Sequence, residues 1–161
     1  MRPIVNIDEL LARESIRQTM ARYTMAGDRL RLEEFIAVFT EDAVLESEGV
    51  PEQDRFCYQG RQAIREWLTR WTRSNDETEP APRPSFVRHH LATSLIEFAA
   101  PDTARARTYW VAYTDIGPDH CSHYLDTFRR IGDDWLIEHR KVRLDWRSPS
   151  SLFTKAVSRS R

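Results

Sequence analysis

The chain predicts an α+β fold in which helices pack on one face of a curved antiparallel sheet. Up to Arg73 its apolar residues recur at helical spacing; beyond a proline-rich break, from Ser85 onward, they alternate as strands do. The five glycines, at positions 27, 49, 60, 117 and 132, all sit at or beside element boundaries, so there is no glycine-rich phosphate loop and no internal repeat.

The elements follow in order. Asp8 is placed to cap a helix running to about Met25, with Leu10, Leu11, Ile16, Met20 and Tyr23 on or near one face and Gly27 as its stop. Leu32, Phe35, Ile36 and Phe39 predict a second helix over 30–39, and Ala43-Val44-Leu45-Glu46 a short strand. A polar segment through Gly49, Pro51 and Gly60 leads to a third helix, Gln62 to about Arg73, striped by Ile64, Trp67, Leu68 and Trp71. Three prolines and several acids make Ser74 to Pro84 an exposed loop. Strands are expected at Ser85–Phe98, Ala104–Thr114, Ser122–Arg130 and Trp135–Trp146, with turns at Pro101-Asp102, Gly117-Pro118-Asp119 and Gly132-Asp133. Such short connections make an antiparallel meander. The polar tail from Ser148 is expected to be loosely held, with Leu152 and Phe153 able to dock on a neighbouring surface.

A chain of 161 residues suffices for one domain with a sizeable core. Its net charge of -1 leaves no electrostatic footprint for nucleic acid or an anionic membrane, and no apolar run is long enough for a span. The two cysteines, Cys57 and Cys121, lack CxxC spacing, which points to reduced thiols in a cytoplasmic protein; no apolar signal core follows the N-terminus. Lys141 and Lys155 are the only lysines, and arginine does not give up its proton at a working pH. Proton abstraction near neutrality therefore falls to a histidine or a carboxylate.

His89 and His90 stand side by side in the first predicted long strand, so only one of them can face a cavity enclosed by the sheet. The sequence leaves open which. An imidazole oriented by a carboxylate is suited to take a proton near pH 7. His120, Cys121 and His123 offer zinc-ligand chemistry, but His120 falls in the expected turn and no fourth ligand is spaced to complete a set, so no metal is expected. Trp67, Trp71, Tyr109, Trp110, Tyr113 and Tyr124 are candidates to line an apolar pocket, or to divide between the core and a subunit interface.

In their order along the chain, Tyr23-Thr-Met-Ala-Gly-Asp28, Phe39-Thr-Glu-Asp-Ala43, Gly60-Arg-Gln-Ala-Ile64, Arg88-His-His-Leu-Ala-Thr93, Tyr124-Leu-Asp-Thr-Phe-Arg129 and Trp135-Leu-Ile-Glu-His-Arg140 with Asp145-Trp146 resemble the SnoaL-like branch of the NTF2-like superfamily. These are cone-shaped α+β barrels that include scytalone dehydratase, bile-acid 7α-dehydratase, a dehydrochlorinase and polyketide cyclases. The resemblance spans roughly residues 7–147 and implies N-terminal helices on the concave face of the sheet. It implies His89 as a base, Asp28 as its orienting partner and Tyr23 as an acid, with Arg140 as a pocket arginine; His90, as the other member of the doubled histidine, and the aromatics Tyr109, Tyr124 and Trp67 are placed on the substrate side by the reading of the residues themselves. Asp126 matches the strand aspartate that the cyclases use as base.

Two functions remain in play. One is a cofactor-independent lyase or isomerase, of dehydratase or cyclase type, acting on a small hydrophobic molecule, polycyclic ones included. The other is a noncatalytic ligand-binding or structural module similar to dioxygenase β subunits. A broad sheet with one uncovered face also predicts a homodimer or homotrimer.

Overall fold

A computed structural model of the chain describes residues 6–73 and 84–153. Helix α1 spans Ile7–Gly27 and α2 Leu32–Ile36; strand β1 (Phe39–Glu48) and the short β2 (Cys57–Gln59) precede helix α3 (Arg61–Arg73). Strands β3 (Arg88–Ala100), β4 (Thr103–Thr114), β5 (Gly117–Ile131) and β6 (Asp134–Arg143) form the meander, and β7 is the pair Trp146–Arg147. The sheet is curved and unclosed, in the order β2-β1-β6-β5-β4-β3, with β7 on β5. The expected loop, apart from Pro84, and the tail beyond Phe153 lie outside the described residues, as does the side chain of Trp71. No described helix is long and apolar enough to cross a membrane.

The expected antiparallel sheet is in fact mixed, because β1 runs parallel to β6. β1 is also longer than the four residues expected. Its acidic residues disfavour a strand locally, but the edge of β6 supplies backbone partners, and Phe39, Ala43 and Leu45 are fully buried. The same pairing shortens α2. Ile137 N donates to Val38 O at 2.9 Å and Phe39 pairs with Ile137, so the chain leaves the helix after Ile36. β2, which the polar sequence concealed, pairs with β1 through Val44 and Gln59.

Asn6, rather than Asp8, caps α1 by accepting from Glu9 N at 2.9 Å. The inward face of α1 buries Glu9, Ile16, Thr19, Met20 and Thr24, with Arg13 half-buried between Glu9 and Ile16, which leaves Leu10 and Leu11 exposed. A charged pair takes the place expected for leucines. Arg13 binds Glu9 at 2.8 Å, donates to Ile96 O at 2.8 Å and lies over the Phe98 ring. Thr19 Oγ1 donates to Trp135 O at 2.6 Å, so α1 is tied to both β3 and β6.

The β4–β5 turn is Asp115-Ile116, with Thr114 paired to Gly117, so β5 starts five residues earlier than expected. Pro118 is accommodated beside the irregularity between Ala112 and Tyr113. This correction changes the site, because it turns His120 from a turn residue into a strand residue.

Candidate active site

Two fixed lengths bring Asp28 to His89. From Arg13 to Asp28, α1 and its cap advance roughly 22 Å at 1.5 Å per residue, and from Ile96 back to His89, β3 covers roughly 23 Å at 3.3 Å per residue. Since Arg13 is anchored on Ile96, the end of α1 arrives at the start of β3. There His89 N donates to Asp28 Oδ2 at 2.9 Å and His89 Nδ1 lies 2.5 Å from Oδ1. A carboxylate only accepts, so Nδ1 carries the proton and Nε2 is left as the basic atom. The Asp28 side chain is 6% exposed and that of His89 25%, so the carboxylate is buried while the imidazole remains reachable.

Strand pairing aligns His89 with Ala112 and His120 across β3, β4 and β5. His120 Nδ1 meets Asp119 Oδ1 at 2.7 Å, forming a second carboxylate–imidazole pair. The two imidazole centres are 6.1 Å apart, and the Trp110 ring contacts both, at 5.6 Å from His89 and 5.4 Å from His120. The fully buried Asp119 also accepts from Ser151 Oγ at 2.6 Å and Leu152 N at 3.3 Å, and Phe153 packs on His120 at 4.8 Å. The start of the polar tail thus docks, through Phe153 as expected, at the edge of the site. Burial raises the cost of the Asp119 anion, yet the bonds from Ser151 and His120 prevail and hold its pKa below the usual carboxylate value. Burial pushes the His120 imidazole below its ordinary value, against the pull of Asp119 and with the help of His89 and Arg147.

Further along the same face, Arg140 makes two hydrogen bonds to Asp126, at 2.8 and 2.7 Å, with both side chains fully buried. The guanidinium lies 4.0 Å from the Tyr23 ring centre and 4.1 Å from that of Tyr124. Desolvation raises the pKa of Tyr23 despite Arg140, and carries that of Tyr124 well above its usual value, so both phenols keep their protons. Arg140 Nη1 has no hydrogen-bond partner among the described residues.

The remaining expected site residues do not all share this face. His90 is exposed on the opposite face against Tyr113, because it alternates with His89. Tyr109, 48% exposed, is on that face too, beside Arg107 and His123. Trp67 packs with Phe56, Tyr58 and Phe35 against the main core rather than on the wall formed by His89, His120 and Trp110, the histidine wall. Tyr124 lies on the inner face, stacked on Trp110 at 5.4 Å. Asp126 is held by Arg140, so it is not free as a base. His120 faces away from Cys121 and His123, which dismantles the metal set, and no group of three metal-capable side chains gathers among the described residues. A groove of about 260 Å³ crosses the outer face, lined in part by Leu95, Arg107, Leu125 and Lys141.

His120 was missed as a site residue. Its parity with Ser122, Tyr124 and Asp126 was the available signal, hidden by placing the turn at Gly117-Pro118-Asp119.

No curated protein matches the chain significantly. Among solved structures, a candidate scytalone dehydratase from Novosphingobium aromaticivorans is similar at 22% identity and TM-score 0.70, covering 89% of this chain and 91% of its own. The dehydrochlorinase LinA-type3 of Novosphingobium barchaimii, which acts on hexachlorocyclohexane, aligns at 15% identity and TM-score 0.69, with 89% and 93% covered. The β subunit of a candidate aromatic-ring-hydroxylating dioxygenase from N. aromaticivorans aligns at 17% and 0.70, with 89% and 94% covered. Likeness at these identities establishes the shared fold and leaves the reaction to the site. With residues 8–141 matching the SnoaL-like domain, this chain belongs to the SnoaL-like family of NTF2-like folds.

Proposed function

We propose that the chain is a cofactor-independent lyase or isomerase of dehydratase or cyclase type, acting on a small hydrophobic, ring-containing molecule, with His89 as general base. The observation that carries this reading is the double hold of Asp28 on His89, at Nδ1 and at the backbone N–H. It fixes tautomer and ring orientation together, and the carboxylate stabilises the imidazolium formed when Nε2 takes a proton. Tyr23 belongs to the reading as a protonated phenol that can donate towards developing negative charge, with Arg140 against its ring. The similarity to dehydratase and dehydrochlorinase structures supports the class of reaction.

The alternative, a noncatalytic ligand-binding or structural module, draws equal support from the dioxygenase β subunit. The two are separated by 5-nitrobenzisoxazole, a probe whose C–H is removed by a positioned base as its N–O bond breaks to a coloured cyanophenolate. The wild-type chain should accelerate this opening about 10²–10³-fold over the His89→Gln variant. Equal rates would end the catalytic reading and leave the binding module. Self-association is part of the proposal as well, through the outer face that exposes Leu95, Tyr109 and Tyr113. A monomeric mass in solution would refute that part.

A further inference from the structure

Proton abstraction by His89 leaves His120 without a task, although it is held as firmly. We propose that His120, oriented by Asp119, is a hydroxyl-recognition point, presenting Nε2 as a fixed acceptor to a phenol or enol O–H on a ring-containing substrate held against Trp110 and Phe153. This rests on the reading of the histidine wall as a substrate site and goes beyond it by naming the group that is recognised.

The tautomer follows from the surroundings of Asp119. Its carboxylate is fully buried and faces donors from Ser151 Oγ, Leu152 N and Thr114 Oγ1, the last at 3.2 Å, besides His120 Nδ1. Such an acceptor-only group requires the imidazole proton to sit on Nδ1, so Nε2 has a free lone pair. The charged and titratable groups acting on His120 are Asp119 on its own strand, His89 on β3 with Asp28 behind it, and Arg147 on β7. Burial, His89 and Arg147 together outweigh Asp119, so the ring is neutral at pH 7 and accepts rather than donates.

Nε2 has no hydrogen-bond partner among the described residues, and the side chain is 12% exposed. Trp110, in the same cluster of rings, has a buried Nε1–H with no acceptor among the described residues. An O–H group is suited to this pairing of unmet needs, since it donates to one neighbour and can accept from another. A methyl ether or an unsubstituted ring would leave Nε2 desolvated and unpaired, which is how buried polar sites reject analogues that lack the donor.

The test compares binding of 2-naphthol and 2-methoxynaphthalene by calorimetry at pH 7.5. Wild type should bind the naphthol about tenfold tighter, the yield of one well-formed hydrogen bond. His120→Phe should bring the ratio close to one while keeping affinity for the ether, and His89→Gln should retain the preference. The preference should also shrink from pH 7.5 to 5, as His120 gains a proton and ceases to accept. Should His120→Phe fail to fold, Asp119→Asn serves instead, because its amide can donate to Nδ1 and turn Nε2 into a donor; the preference then passes from the naphthol to 2-acetylnaphthalene. The proposal is overturned by equal binding of the two probes to wild type, by binding of neither, by a ratio that survives His120→Phe or Asp119→Asn, or by one lost in His89→Gln instead. The benzisoxazole assay reads His89 separately. A hydroxyl preference that follows His120 without benzisoxazole opening would leave the recognition site standing and the lyase reading refuted.

Discussion

Two parts of the inner sheet face use the same ingredients, a carboxylate, a nitrogen base and aromatic rings, to opposite ends. At Arg140 and Asp126 both partners are fully buried, joined by two hydrogen bonds and flanked by Tyr23 and Tyr124. At Asp28 and His89 only the carboxylate is buried, and the imidazole remains partly exposed. An arginine never yields its proton, whereas an imidazole exchanges one near neutrality. The pairs therefore differ in what burial achieves. In the first it locks a permanent charge into the fold; in the second it fixes the orientation of a group that is free to react.

The sharpest way to break this contrast is to remove one member of the buried pair. Arg140→Met leaves Asp126 ionised and unpaired, and Asp126→Asn leaves the guanidinium without its counter-charge. Either should cost about 3–5 kcal/mol, the usual penalty for breaking a buried ion pair. For a domain of this size the melting temperature should then fall by roughly 6–20 °C. The double variant Arg140→Met with Asp126→Leu should recover much of the loss, because a buried pair is often replaceable by apolar packing. Thermal denaturation of the three variants checks this. A loss below about 1 kcal/mol would show that the pair is not a structural lock.

Next in size is Asp28→Asn. The amide can still accept from His89 N, but its NH₂ opposes Nδ1–H and favours the other tautomer, in which Nε2 carries the proton. Benzisoxazole opening should drop about 10²-fold, with a change in stability of only about 1 kcal/mol. A large loss of stability with activity intact would invert the assignment and make Asp28 the structural group.

How much of this contrast was legible in the sequence depends on the kind of contact. The helix–strand order and the meander follow from local periodicity, although α2 ends earlier and β5 begins earlier than expected, and the contact between Asp28 and His89 follows from the family resemblance. The choice between His89 and His90 needed the phase of β3, in which the His89 imidazole reaches Asp28 while His90 is exposed on the opposite face. Non-local pairing was hidden. The parallel partner of β1, the sandwich of Arg140 between two tyrosines, and the inward turn of His120 each depend on segments far apart in the chain. Trp67 and Tyr109 show the same limit, since an aromatic side chain reads alike whether it fills a core or stands on an outer face.

The smallest expected effect concerns pH, and it joins the two histidines. A histidine whose pKa is lower folded than unfolded binds fewer protons in the native state, so stability rises with pH between the two values. For His120, lowered chiefly by burial, that window lies below the ordinary imidazole value near 6.5. Stability should therefore fall as pH drops from 7.5 through 6.5 towards 5, and His120→Phe should flatten this part of the curve. His90→Ala, on the exposed face, should change the stability at pH 7.5 by no more than about 0.5 kcal/mol. Denaturant midpoints taken along the pH series measure both variants. A wild-type slope that survives His120→Phe would mean that His120 is not held neutral by the fold, and the distinction between a proton-exchanging wall and a locked ion pair would then rest on His89 alone.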